Sequence, residues 1–125
     1  MIGMRYLEVS NISDGGIPYA RLIVSGKKTW EIRWHNTRYR GTVAIIFDKK
    51  ILGTAKLVDV FSATPKELAK HKNHMSTYKR MRKYAAKKKV RKLHAWILSD
   101  ARRFNRPKKI RYKFVNNYSW SVPVR

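Results

Sequence analysis

Three charged residues that can bind or react with a ligand lie close together in the first third of the chain. Lys28, Glu31 and Arg33 fall within six consecutive positions. Arg33 offers a planar fork of donors that suits a phosphate or a base edge, and Lys28 supplies a mobile positive charge. Glu31 can accept a proton or a hydrogen bond from a base amino group. Two interpretations are open, a structural ion-pair network and a ligand cleft.

The same segment also admits hydrolysis. Burial of Lys28 would lower its pKa and allow it to act as a base. Thr29 would then be the nucleophile and Glu31 the supporting carboxylate. Thr54 and Asp59 are alternative sources of the hydroxyl and the carboxylate. Because the sequence does not establish that these side chains meet, a binding cleft and an active site both stay open.

The most basic stretch of the chain lies between residues 79 and 92. A helix over about 76–90 would pack through a narrow apolar stripe of Tyr78, Met81, Tyr84 and Ala85. We expect the charges around it to contact phosphates; the alternative is a solvated, partly disordered arm. No acidic residue interrupts its nine positive charges, which are Lys79, Arg80, Arg82, Lys83, Lys87, Lys88, Lys89, Arg91 and Lys92. A second basic cluster follows at Arg102, Arg103, Arg106, Lys108, Lys109, Arg111 and Lys113.

The overall charge favours the same class of partner. Thirty Lys and Arg against seven Asp and Glu give a formal net charge of +23 over 125 residues. Such self-repulsion opposes compaction, and a polyanionic partner is the commonest reason for it. A Lys-rich surface without a partner usually carries matching Glu residues, and an anionic membrane is the weakest alternative. We therefore expect nucleic acid, bound with an affinity that salt weakens.

A loop offers a candidate for base stacking. Tyr39 stands between Arg38 and Arg40, and an aromatic ring beside an arginine can stack on an unpaired base. The tryptophans are more typical of core positions.

Metal and cofactor chemistry find little support in the sequence. There is no cysteine, which excludes disulfides and thiolate metal sites. Four histidines, His35, His71, His74 and His94, have few carboxylates near them in the chain, so we expect no metal and no cofactor. No apolar run approaches about 18 residues and no signal peptide is evident. We expect an intracellular protein, cytoplasmic or nucleoid-associated, without membrane contact; the oligomeric state is not indicated.

The order of predicted elements sets the fold class. Alternation over 29–34 places Trp30, Ile32 and Trp34 on one strand face and the charged residues on the other. The predicted elements are strands at 4–10, 29–34, 42–47, 51–61, 93–98, 109–114 and 118–124 and helices at 17–26, 64–72 and 76–90. Strands and helices do not alternate as in a parallel sheet. We predict one mixed α+β domain over 1–125, a small antiparallel β-barrel with helices packed outside and a basic helical insertion at 76–92.

Residues 17–34 resemble the signature of the ASCH domain, a branch of the PUA-like superfamily. That signature is a helix followed by G-x-K-x-x-E-x-R, which here is Gly26, Lys28, Glu31 and Arg33. Segments 40–46, 52–60 and 94–98 also resemble later strands of the family. The family often has Gln-Pro-Trp before the helix, where this chain has Ile17-Pro18-Tyr19.

The resemblance implies a PUA-like β-barrel with a cleft beside the first helix. It implies nucleic acid as the usual ligand, with RNA favoured over DNA. Some relatives are hydrolases, either nucleases or amidohydrolases that act on a modified nucleoside. We therefore expect a nucleic-acid-binding module whose cleft contains Lys28, Glu31 and Arg33, with a hydrolase that uses the same cleft as the alternative.

Overall fold

The computed structural model describes the backbone of residues 4–9, 16–114 and 120–123, and side chains as far as residue 111. Seven strands and three helices occur in these ranges. The strands are β1 (Arg5–Glu8), β2 (Trp30–Arg33), β3 (Gly41–Phe47), β4 (Lys50–Ala63), β5 (Leu93–Lys109), β6 (Tyr112–Phe114) and β7 (Trp120–Pro123). The helices are α1 (Tyr19–Val24), α2 (Pro65–Leu68) and α3 (Tyr78–Lys88).

All seven strands belong to one curled sheet, in the order β2-β5-β4-β3-β1-β7-β6. Five of the six strand pairs in the described ranges are antiparallel, and only β1 and β3 run parallel. A parallel pair needs a long crossover connection, and α1 and β2 lie between these two strands. The predicted mixed α+β class is confirmed.

Apolar side chains pack on both faces of the sheet. Ala20, Ile23 and Val24 of α1 pack in one cluster with strand residues that include Trp96. A second cluster joins Leu68 of α2 and two residues of α3 to the first residues of β5, and Trp30, Ile32 and Trp34 pack against it. The predicted apolar face of β2 is therefore confirmed, and the charged residues of β2 lie on its other face.

The helix ends follow local sequence signals. Gly26 has a φ of +81° after α1, a conformation that favours glycine. Thr64 caps α2 and forms a capping box with Glu67, as the Thr-Pro-Lys-Glu sequence predicts. The predicted extension of α2 to residue 72 is wrong, because α2 ends at Leu68 and the chain turns there, with the His71 N–H donating to the Leu68 carbonyl.

Strand β5 continues well beyond the predicted end at residue 98. It runs to Lys109 and pairs with β4 as far as Lys50. Its second half carries charged side chains and Pro107 rather than alternating apolar residues, so the sequence lacks the period-two signal of a strand. In the described residues this half has β4 as its sole ladder partner, and an edge position tolerates proline. The sequence also predicts a turn at Asn116-Asn117, between the strands at 109–114 and 118–124, and this turn lies outside the described residues.

Candidate functional site

Lys28 is buried although it is charged. It follows the turn after α1, where its N–H donates to the Leu22 carbonyl over 3.0 Å, and its side chain is 2% exposed. The Nζ atom donates to the carbonyls of Trp30 at 2.7 Å and His74 at 2.6 Å, and lies 3.5 Å from Oε1 of Glu31. Burial lowers the pKa of Lys28, and the Glu31 carboxylate opposes that shift. The ammonium therefore has two hydrogen-bond acceptors and one carboxylate partner in a desolvated position, and it also lies over the Tyr19 ring, 4.6 Å from the ring centre.

The segment between α2 and α3 covers this ammonium, and His74 organises it. In the His74 ring, Nδ1 accepts from the Ser76 N–H at 2.9 Å and Nε2 lies 2.7 Å from the Leu68 carbonyl. A neutral ring with its proton on Nε2 satisfies both contacts. Burial lowers the pKa of His74, which agrees with that neutral form. The neighbouring Asn73 carbonyl accepts from the N–H groups that begin β2.

Glu31 and Arg33 complete an ion-pair network with Lys28. Arg33 Nη2 lies 3.0 Å from Oε2 of Glu31, whose side chain is 9% exposed. The same guanidinium donates to the Glu8 carbonyl over 2.8 Å and so connects β2 to β1. Its Cζ atom lies 5.9 Å from the centre of the Trp96 ring. The carboxylate is thus flanked by two cations within a largely buried layer.

This network lines a cavity of about 290 Å³, which we call the Lys28 cavity. Its walls combine apolar side chains such as Ile32 and Met81 with the aromatic rings of Tyr19 and Tyr84. Its charged lining residues are Glu8, Lys28, Glu31, Arg33 and Arg80. The volume lies at the lower end of the range for small-molecule sites, roughly 300–1,000 Å³. The two interpretations of Lys28, Glu31 and Arg33, an ion-pair network and a ligand cleft, therefore both describe this site.

Several lining residues were missed in the sequence. Glu8 lies on β1 and Ser76 in the loop before α3, and no local pattern marks either. The predicted apolar stripe of the basic helix contains Tyr84, but as a packing residue rather than as part of a site. Tyr19 falls within the segment that resembles the family signature and could have been found there. Burial raises the pKa of Tyr84, so its phenol is a neutral donor and acceptor. Arg80 was predicted only as part of the basic run, and the structure places it on the cavity as well.

A model of the ASCH domain family matches residues 17–108. The chain belongs to the ASCH domain family. The crystal structure of ASCH from Zymomonas mobilis is similar, with a TM-score of 0.70 and 21% identity over 86% of this chain and 73% of that one. A Ser→Ala mutant of the Zymomonas mobilis protein gives a TM-score of 0.73 and 20% identity over 98% and 89% of the two chains. This likeness shows the PUA-like fold. No curated protein sequence matches significantly.

Of the three helices described, α3 carries the most Lys and Arg residues. Lys79, Lys83 and Lys87 are exposed and spaced four residues apart, so they lie on one helix face. Lys88 Nζ lies 5.6 Å from the centre of the Trp34 ring, and Lys89 ends the helix with a φ of +57°. The exposed residues Arg82, Arg91 and Lys92 complete the set.

Other predicted site residues lie outside the Lys28 cavity. Thr29 does not line it, so the structure brings together Lys28 and Glu31 but not the proposed nucleophile. Tyr39 packs against the α1 cluster, donates its hydroxyl to the Thr42 carbonyl, and has Arg5 over its ring at 4.6 Å. Arg38 and Arg40 are exposed in the same loop. The alternatives Thr54 and Asp59 also lie elsewhere, both on β4.

The described ranges contain no group of three His, Asp or Glu side chains arranged to hold a metal ion. Within those same ranges, no helix has both the length and the apolar composition needed to cross a membrane.

Proposed function

We propose that this ASCH domain binds single-stranded nucleic acid, RNA in preference to DNA. An unpaired base enters the Lys28 cavity, and the adjoining phosphates contact α3. One observation carries the proposal: Arg80, from the basic helix, lines the same cavity as Glu31 and Arg33. The specific and the sequence-independent contacts can therefore serve one ligand. The family is often linked to RNA binding, which supports RNA as the preferred form.

The chemistry of the cavity suits a base better than a free phosphate. Two carboxylates, Glu8 and Glu31, offset most of the charge of the three cations that line it, so a free anion gains less there than on the all-basic face of α3. The Glu31 carboxylate can accept from a base amino group, while the guanidinium of Arg80 can donate to ring nitrogens or carbonyl oxygens. The rings of Tyr19 and Tyr84 offer apolar surface for a planar group. An unpaired base fits because single-stranded recognition reads exposed base edges.

Helix α3 supplies the phosphate contacts. Six of its eleven residues are Lys or Arg. Like charges four residues apart, as at Lys79, Lys83 and Lys87, destabilise a helix by a few tenths of a kcal/mol per pair. A row of phosphates would relieve that repulsion and release counterions. The three ammonium groups are spaced about 6 Å apart along the helix axis, so one strand can contact them in turn.

The test is binding of fluorescent single-stranded RNA, single-stranded DNA and double-stranded RNA of equal length. Arg80→Ala is compared with Arg102→Ala, which removes an equal charge on β5. We expect RNA to bind most tightly, Arg80→Ala to lose about tenfold, equivalent to about 1.4 kcal/mol, and Arg102→Ala to lose less than about threefold. Absence of binding, or equal losses in the two variants, would overturn the proposal.

A hydrolase that uses the same cavity is the second candidate. It is favoured by the contact between Lys28 and Glu31 and by the lowered pKa of Lys28. Against it, two main-chain carbonyls accept from the ammonium. Labelled RNA, DNA and acylated nucleosides are incubated with the protein and with the Lys28→Ala and Glu31→Gln variants. No turnover, or turnover that survives both substitutions, would exclude this candidate.

A further inference from the structure

A second cavity lies on the other flank of α3. It has a volume of about 340 Å³ and lies between α2 and α3; we call it the α2–α3 groove. Tyr78, Arg82 and Ala86 of α3 line it, whereas Arg80 and Tyr84 line the Lys28 cavity. With 3.6 residues per turn, Arg82 and Ala86 project almost opposite to Arg80 and Tyr84. One helix therefore separates two cavities.

The groove combines an apolar floor with a cationic rim. Pro65, Ala85 and Val90 provide the apolar surface. The charged lining residues are Lys66, Arg82 and Arg91, and none of the described residues that line the groove is acidic. The nearby Glu67 carboxylate already accepts from the N–H and the hydroxyl of Thr64 at 3.1 and 2.9 Å. The groove thus differs from the Lys28 cavity, which holds carboxylates.

Tyr78 is the distinctive side chain of the groove. It was predicted to pack within the apolar stripe of the helix, but it is 45% exposed, and this part of the prediction is wrong. The guanidinium of Arg82, one helical turn later, lies 5.8 Å from the centre of its ring. An exposed aromatic ring beside an arginine is the usual platform for stacking an unpaired base. Its position in the first turn of α3 holds the ring on a rigid element.

We propose that the α2–α3 groove is a second nucleotide site, which takes one unpaired base of a bound RNA strand. The base stacks on Tyr78, and the flanking phosphates contact Lys66, Arg82 and Arg91. This inference rests on the proposed function, because it requires the same ligand class. The exposed row of Lys79, Lys83 and Lys87 lies between the two cavities on the outer face of α3. A strand can therefore cross the helix, which is about 10–12 Å wide, and enter both.

The charge and the aromatic ring together favour this occupant. The cationic rim alone would also attract an acidic peptide, but a peptide of acidic side chains has no planar group for Tyr78. A nucleotide offers both a planar base and a phosphate, so each part of the groove has a partner in it.

The test compares Tyr78→Ala with Tyr78→Phe in binding to oligouridylates of about 4 to 16 nucleotides. Loss of one stacked base predicts a roughly 5- to 100-fold weaker affinity for Tyr78→Ala. The loss should appear with long oligomers that reach both cavities and be small with the shortest. Tyr78→Phe keeps the ring and should bind within about twofold of wild type. Melting curves check that both variants fold, which is expected because Tyr78 is largely exposed.

The outcomes separate this proposal from the proposed function. If wild type binds no RNA, the proposed function fails, and the second site fails with it. If Arg80→Ala weakens binding but Tyr78→Ala matches wild type at every length, only the second site is wrong. Equal losses in Tyr78→Ala and Tyr78→Phe would also overturn it. Polyglutamate of equal charge is the competitor at equal concentration. If it displaces RNA equally well from wild type and from Tyr78→Ala, the groove binds acidic peptides instead.

Discussion

The main-chain carbonyl of His74 accepts a 2.6 Å hydrogen bond from the Lys28 ammonium, although 46 residues separate the two. The His74 ring contacts Leu68 and Ser76 on either side of the same segment. The loop before α3 is thereby fixed over the charged face of β2. Because α3 begins at Tyr78, this contact also sets where the basic helix starts relative to the Lys28 cavity.

Removal of the Lys28 ammonium should destabilise the protein. Lys28→Ala removes the donor to the Trp30 and His74 carbonyls and leaves Glu31 paired with Arg33. Breaking a buried charged network costs several kcal/mol, so we expect the free energy of unfolding to fall by about 3 kcal/mol. Urea denaturation measures this change. The exposed neighbour Lys27 is the control. Lys27→Ala should change the free energy of unfolding by less than about 0.5 kcal/mol. Equal effects of the two substitutions would contradict the structural role of Lys28.

Acid should weaken the fold through two buried histidines and one half-buried histidine. Burial lowers the pKa values of His35, His74 and His94, so the unfolded chain takes up protons before the folded chain does. Stability from these groups is complete above the unfolded histidine pKa of about 6.5 and is lost as pH falls below it. We expect the melting temperature to fall between pH 7 and pH 5.

His74→Gln isolates one of these contributions. Glutamine does not titrate, and its amide can still donate to the Leu68 carbonyl. The variant should be less stable than wild type at pH 7, yet its melting temperature should depend less steeply on pH between 7 and 5. Parallel pH profiles for the variant and the wild type would show that His74 does not carry the acid sensitivity.

The sequence predicted the charged centre because its signals are local. Alternation over β2 places Glu31 and Arg33 on one face, and Gly26 stops α1 just before Lys28. The walls of the cavity could not be predicted in this way. Ser76 and Arg80 line the cavity only because the segment between α2 and α3 folds back over Lys28. The contact that holds this segment, between Lys28 and His74, joins residues 46 positions apart.

Two misjudged elements share a physical cause. β5 continues past Leu98 because β4 supplies a ladder partner, and its own side chains carry no strand pattern there. Met81 and Ala85 pack as their helical spacing predicts, but Tyr78 lies beside the α2–α3 groove and is exposed. In both cases a tertiary neighbour decides what periodicity alone cannot.

Glycine substitutions should separate steric and conformational costs. A Cβ at Gly53 would clash with the Arg102 carbonyl oxygen on the paired strand, so Gly53→Ala must shift β4 or β5. Overpacking of this kind costs about 1–3 kcal/mol, and we expect the upper end because the obstacle is backbone. A Cβ at Gly26 would meet no non-neighbouring atom within 4 Å, but the φ of +81° disfavours any residue with a Cβ. Gly26→Ala should therefore lower the free energy of unfolding by about 1 kcal/mol. Urea titrations give both values; a larger cost at Gly26 would contradict the ladder geometry.

The salt dependence of RNA binding should separate phosphate contacts from base contacts. Each phosphate contact to a single strand contributes about −0.7 to the slope of log K against log salt. The triple variant Lys79→Gln, Lys83→Gln and Lys87→Gln removes three such contacts, so its slope should be shallower by about 2. Tyr78→Ala should weaken binding at every salt concentration with little change of slope, because stacking releases no counterions. Anisotropy titrations over a range of salt concentrations give both slopes. An unchanged slope in the triple variant would show that the strand does not cross the outer face of α3.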